Sequence, residues 1–123
     1  MMQAHIGTDI LEIDRLRKAI VRWGSHFLSR IYTEGEIEVC GNRMESLAVR
    51  FAGKEAAMKA LGGAGAGLHW KEIEILSEPD GKPVVKLHGQ ALERCRALGI
   101  ANLEISLSHS RELALAFVAG IAG

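Results

Sequence analysis

One helix with almost no face to offer to water constrains this chain more than any other segment. From Glu45 to Leu61, the residues Leu47, Phe51, Met58 and Leu61 recur at helical spacing. Ala48, Val49, Ala52, Ala56, Ala57 and Ala60 cover most of the remaining surface. A helix that is apolar nearly all round lies at the centre of a fold or beneath a partner. The rest of the chain must therefore be wrapped around it. Ser46 or a residue just before it is the expected cap, and Gly62-Gly63 the expected stop. Arg50, Lys54, Glu55 and Lys59 interrupt the apolar surface. A charge in such a setting needs an opposite charge, a ligand or a metal.

The flanking segments supply the wrapping. Residues 4–11 alternate as a strand, with Ile6, Thr8 and Ile10 on one face and Asp9 on the other. Ile13, Leu16, Ile20, Trp23 and Phe27 then form the stripe of an amphipathic helix, which Gly24-Ser25 interrupts. Thr33 is placed to cap a short acidic helix ending near Gly41-Asn42. Ile73–Leu76 and Val84–Leu87 read as two strands joined by the turn Pro79-Asp80-Gly81-Lys82-Pro83. Residues 89–98 read as a helix stopped by Gly99. Alternation from Leu103 to Leu107 and the apolar run from Leu113 to Ala119 predict a closing hairpin through His109, Ser110 and Arg111. The expected fold is a single α+β domain over residues 1–123, with strands at both ends and a helical middle.

Charge and composition remove several roles. Fifteen basic residues balance fifteen acidic ones, and aromatics are sparse. A nucleic-acid module needs a positive field and stacking rings, so none is expected. Cys40 and Cys95 have no metal-ligand or redox spacing and read as ordinary thiols of a reducing compartment. No run of about eighteen apolar residues exists to cross a membrane, and no basic-then-apolar leader opens the chain. The expected location is cytoplasmic.

The polar residues carry two readings each. Glu55 and Lys59, four apart, suit a helix-surface ion pair, worth a few tenths of a kcal/mol at roughly this spacing. They also suit a metal ligand and a phosphate contact on one side of a cleft. Asp9 is a strand-end acceptor of backbone hydrogen bonds or a second Mg²⁺ carboxylate, with Glu12 and Asp14 as local competitors. His109 is polar surface, or a group that contacts phosphate or moves a proton. The glycines from Gly62 to Gly67 terminate a helix or let amides approach a phosphate, although no P-loop pattern is present. Arg15, Lys18 and Arg22 form a basic helix face, either solvated or fitted to an acidic protein.

Ile6-Gly7-Thr8-Asp9-Ile10 with Glu12 and Arg15, the run from Arg50 to Ala60, Gly81-Lys82-Pro83, and Ser106-Leu107-Ser108-His109-Ser110 together resemble the holo-[acyl-carrier-protein] synthases of the phosphopantetheinyl transferase superfamily. The ordered set covers almost the whole chain. The resemblance implies a compact α+β transferase fold with antiparallel strands and a long central helix. It implies Mg²⁺ on Asp9 and Glu55, and Glu55, Lys59 and His109 as catalytic residues. Arg50, Lys59, Gly63, Gly65, Ser108 and His109 are implied on the coenzyme A side. Arg15, with Lys18 and Arg22, is implied as the docking face for acyl carrier protein. It further implies a homotrimer with sites between subunits. Gly53 departs from the small nonglycine residue common in the family, at a helix cost of up to about 1 kcal/mol relative to Ala. Ser110 departs from an acidic residue found in some members.

The implied reaction is attack of a carrier serine on the β-phosphorus of coenzyme A, releasing adenosine 3′,5′-bisphosphate. The proton acceptor stays open among a water on the metal, Glu55 and His109. Two other functions fit the residues: a coenzyme A or nucleotide-binding module without transfer activity, and an oligomeric scaffold for an acidic protein. Covalent modification of the carrier separates both from the enzyme.

Overall fold

The computed structural model describes residues 4–63 and 67–123. Three strands form one antiparallel sheet: β1 (His5–Glu12), β4 (Ile100–His109) and β5 (Leu113–Ala122), in the order β1-β5-β4. The first and last strands of the chain are therefore neighbours, with Asp9 opposite Ala116. Alternation along β5 turns Ala114, Ala116 and Val118 inward and leaves Leu113, Leu115 and Phe117 exposed. Along β1 it turns Gly7 inward and leaves Ile6 and Ile10 exposed.

The central helix, α4 (Met44–Ala60), lies across the inner face of this sheet. Its small residues set the distance. Ala52, Ala56 and Ala57 are wholly buried, and the β1 backbone approaches so closely at Gly7 that a Cβ there would overlap the Ala56 carbonyl. Small side chains at such a crossing let two backbones touch. Gly53 also has a packing reason: a Cβ would come 2.6 Å from Ile75 Cδ1 and 3.1 Å from Ile105 Cδ1. The departure at Gly53 is thus matched by large neighbours on β2 and β4.

Helices α1 (Ile13–Trp23), α2 (Ser25–Ile31) and α3 (Glu34–Cys40) enclose one side of α4. Ile13, Leu16, Ile31, Tyr32 and Leu47 form the core there. Gly24, at φ 55°, separates α1 from α2, and Thr33 caps α3 in a reciprocal box with Glu36. On the other side stand the hairpin β2 (Ile73–Ser77) and β3 (Pro83–Leu87), a two-stranded antiparallel sheet, and α5 (Gly89–Ala97). Phe27, Phe51 and Trp70 stack in series, with centroids 6.2 and 5.0 Å apart, and tie α2 to α4 and to the 3-10 turn Trp70–Glu72.

Several local expectations need correction. Ser46 does not cap α4: Arg43 is the cap position without a side-chain bond. The Ser46 hydroxyl instead accepts from Arg50 and donates to the Cys40 sulfur. Trp23 does not join the buried stripe; it is 56% exposed, and Arg22 lies 4.9 Å from its ring centroid. Both closing strands are longer than their alternation indicated, because the inside-outside alternation breaks near their ends, at the Ile100/Asn102 irregularity of β4 and at Gly120 of β5. His109 is the last residue of β4, opposite Ala114, and the connection occupies residues 110–112.

Candidate active site

Asp9 and Lys59 come from elements that only the long-range packing brings together. Asp9 sits on the inward face of β1, and Lys59 occupies the last turn of α4. Lys59 Nζ lies 3.1 Å from Asp9 Oδ1 and donates to the Thr8 carbonyl at 3.0 Å. The lysine therefore reaches across to β1 and pairs with Asp9 instead of forming the helix-surface pair with Glu55. The Asp9 side chain is only 17% exposed, so this contact is shielded more than a surface ion pair.

Glu55 faces the same region. Burial pushes its carboxyl above the ordinary glutamate range, the Asp9 charge adds to the rise, and Lys59 opposes it. Asp9 and Glu55 place like charges side by side at a partly buried position, a setting that a cation relieves, with Lys59 and Arg15 as the protein's own cations there. Asp9 and Glu55 also line one cleft of about 360 Å³, together with Arg15, Leu16, Phe27 and Phe51. Among the described residues no group of three or more His, Cys, Asp or Glu is arranged for a metal. Two protein oxygens nevertheless suit Mg²⁺, which is commonly held by one or two carboxylates with waters and substrate phosphates completing its shell. Glu12 and Asp14 do not line the cleft; Asp14 instead meets Arg17 and Lys18 on the exposed side of α1.

Arg50 lies elsewhere. It is 5% exposed and borders a second cleft of about 520 Å³ with Arg43, Ser46, Ser77, Pro83 and Ser106. Its guanidinium donates to the Ile75 carbonyl at 2.9 Å, and to the Ser46 and Ser77 hydroxyls at 2.8 Å each. Arg43 and Ser77 escaped the sequence reading, because no local pattern marks residues that meet only through tertiary packing. Gly81 and Pro83 on this rim belong to the Gly-Lys-Pro segment noted earlier.

Ser108 and His109 are exposed at the far end of β4. Within one chain the strand β5 stands between them and β1, so two strand spacings, roughly 9.5 Å, separate their backbone from that of Asp9. His109 Nδ1 lies 3.4 Å from the Ser110 carbonyl. Gly63 adopts φ 83°, and its amide donates to the Met58 carbonyl at 2.8 Å. That amide finishes the helix and is not free for a phosphate. Gly65 lies outside the described residues. Arg15, Lys18 and Arg22 are all exposed on α1, and Arg15 alone enters the carboxylate cleft.

Comparison with known proteins shows the family. Residues 5–118 match the family model of the 4′-phosphopantetheinyl transferase superfamily. The chain is 50% identical over 114 residues to the holo-[acyl-carrier-protein] synthase of Dehalococcoides mccartyi, covering 93% of this chain and 95% of that protein. Its fold superposes with a TM-score of 0.83 on the Helicobacter pylori holo-[acyl-carrier-protein] synthase solved in complex with coenzyme A, at 36% identity over 92% of this chain and 96% of that one. The Neisseria meningitidis enzyme gives a TM-score of 0.84 at 32% identity, covering 94% and 96%. The expected α+β fold is thus confirmed, and the chain belongs to the holo-[acyl-carrier-protein] synthases of the 4′-phosphopantetheinyl transferase superfamily.

Proposed function

We propose that Asp9, Glu55 and Lys59 form the working centre of a transferase whose reaction is that of its family. Phosphopantetheine moves from coenzyme A to a serine of apo-acyl carrier protein, and adenosine 3′,5′-bisphosphate is released. The observation that carries this reading is the convergence of Asp9 and Glu55 on one cleft, with Lys59 bonded to Asp9. The serine oxygen forms a bond to the β-phosphorus while the bond from that phosphorus to the leaving bisphosphate breaks. Mg²⁺, held by Asp9 and Glu55, would supply charge stabilisation at the pyrophosphate when bound. Lys59 neutralises phosphate oxygens within reach of β1. Glu55 and His109 are the protein groups available to take the serine proton.

Arg50 is assigned to the coenzyme A side. Ser108 and His109 are assigned there too, contributed by a neighbouring copy, since one chain holds them apart from Asp9. Exposed Ile6, Ile10, Leu113, Leu115, Phe117 and Ile121 support a homotrimer, because they make a broad apolar sheet face. Arg15, aided by Lys18 and Arg22, receives the acidic carrier at the mouth of the cleft. A cytoplasmic location suits the two free, buried thiols of Cys40 and Cys95; among the described residues no helix is long and apolar enough to cross a membrane.

Intact mass spectrometry tests the assignment. Apo-carrier incubated with the protein, coenzyme A and Mg²⁺ gains the mass of one phosphopantetheine group. Asp9→Asn and Glu55→Gln each remove that gain at matched time. Unmodified carrier with the wild-type protein, or full transfer by Glu55→Gln, refutes the site.

A further inference from the structure

The transfer chemistry described above leaves one buried ion pair without a role. Lys54 and Glu36 are both wholly buried, and Lys54 Nζ lies 2.7 Å from Glu36 Oε1. The ammonium has three protons and three acceptors: Glu36 Oε1, the Trp70 carbonyl at 3.0 Å, and the Ile73 carbonyl. The carboxylate is equally occupied. Its Oε1 also accepts the Thr33 amide at 2.9 Å, and its Oε2 accepts the Ile75 amide at 2.8 Å. The Tyr32 ring lies 5.9 Å from the ammonium.

These bonds follow a pattern. Ile73 and Ile75 belong to β2, whose sole partner strand among the described residues is β3. Their outward groups form a sheet edge that no third strand covers among the described residues. Lys54 takes the Ile73 carbonyl, Glu36 takes the Ile75 amide, and Arg50, one turn earlier on α4, takes the Ile75 carbonyl at 2.9 Å. Three charged side chains therefore stand in for the missing strand. Two of them come from the helix that carries Glu55.

Stability alone does not call for this arrangement. A buried ion pair is often no better than well-packed apolar groups of the same volume, because both charges lose their hydration. What the pair supplies is direction. Lys54 and Glu55 are consecutive on α4 and therefore point about 100° apart around its axis. Holding the Lys54 ammonium against β2 aims Glu55 away from β2, into the cleft it shares with Asp9. Contact at Gly7 sets how far β1 stands from α4, but it does not by itself stop the helix from turning. A rotation of roughly 20° moves a group at the side-chain radius of about 6 Å by about 2 Å. A misplacement near 1 Å can lower a rate by about 100-fold.

We propose that Lys54, held by Glu36, is a positioning residue that fixes the rotation of α4 and so delivers the Glu55 carboxylate to the site. This rests on the assignment of Glu55 to the working centre, and the test separates the two. Lys54→Met keeps length and apolar volume while removing the ammonium; Lys54→Met with Glu36→Met removes both charges. Three quantities are compared with the wild type: steady-state transfer by intact mass, Mn²⁺ affinity by electron paramagnetic resonance, and the melting temperature. Lys54→Met is expected to lower kcat by about 10- to 100-fold with the coenzyme A KM within about threefold, the signature of lost placement. It also weakens Mn²⁺ binding by about fivefold or more, as support behind a ligand commonly does. The double variant regains melting temperature relative to Lys54→Met while kcat and Mn²⁺ affinity stay low. Recovery of all three together, or wild-type kcat and Mn²⁺ affinity in Lys54→Met, overturns the proposal. If the wild type transfers nothing, the functional reading falls, and the Mn²⁺ arm still decides the positioning. Should the methionine variants fail to fold, Glu36→Gln, which leaves the ammonium in place, is read by the same measurements with the same criteria.

Discussion

Gly7→Ala changes one hydrogen into a methyl group where the β1 backbone crosses the backbone of α4 at close range. The new Cβ would overlap the Ala56 carbonyl oxygen and lie 2.8 Å from its carbon and 2.9 Å from the Ala60 nitrogen. Nonbonded carbons rest at about 3.5–4.0 Å. The obstruction is backbone on a 17-residue helix, so no side chain can swing aside. β1 must retreat from α4 by about 1 Å or more, or the helix must move. Overpacking of this kind costs about 1–3 kcal/mol, and the backbone nature of the clash puts the expectation at the upper end. The same retreat parts Asp9 from Lys59, now 3.1 Å apart. A shift of that size between groups on two elements lowers a rate by about 100-fold. Urea unfolding gives the stability change, and single-turnover transfer to apo-carrier gives the rate. An alanine variant with stability within about 0.5 kcal/mol of wild type, the range of an ordinary surface substitution, refutes the argument that this crossing sets the site.

Other consequences can be checked more briefly. Tyr32→Phe removes a buried hydroxyl that donates to the Leu47 carbonyl at 2.7 Å; denaturant unfolding should show a loss of about 0.5–1.5 kcal/mol. Arg15→Glu reverses charge at the mouth of the carboxylate cleft. The carrier KM should rise by about tenfold and become less sensitive to salt, with little change in stability; an unchanged KM removes Arg15 from docking. Burial would raise the Glu74 carboxyl, but hydrogen bonds from Thr33 and His88 win and hold it below its usual 4.5. Its stabilising contribution is therefore present above pH 4.5 and lost as pH falls through the lower folded value. Stability measured from pH 6 down to pH 3, a span of roughly this window, should fall less steeply for Glu74→Gln than for the wild type.

Local signals were legible wherever they were strong. The Gly24 break, the Thr33 cap, the Gly62 stop and the turn before Pro83 all depend on neighbours in sequence, and all are present. Asp9, Glu55 and Lys59 stood out as polar residues in apolar surroundings. Their meeting was not legible, because it depends on how β1 crosses α4. Lys54 illustrates the limit. Its partner Glu36 lies in a different helix, so the sequence marked a charge needing compensation without naming its source. Arg50 lines its cleft with Ser106 and Leu107 of β4, the strand that also carries Ser108 and His109, whereas β5 lies between that strand and the β1 that carries Asp9. Trp23 was misplaced because an amphipathic stripe cannot tell a core from a ring lying under an arginine.

The strand order carries a consequence for how the protein comes into being. β1 emerges long before β5 during synthesis, yet among the described residues its only strand partner is β5, through pairs such as His5 with Gly120 and Asp9 with Ala116. Closing so long a loop is entropically costly and slows folding relative to local pairing. Until β5 has left the ribosome, β1 waits with an unpaired edge and exposed isoleucines, the form in which nascent chains are most open to aggregation. Assembly of the carboxylate cleft is consequently among the last events of folding, and an incomplete chain holds Asp9 with no sheet to keep it in place.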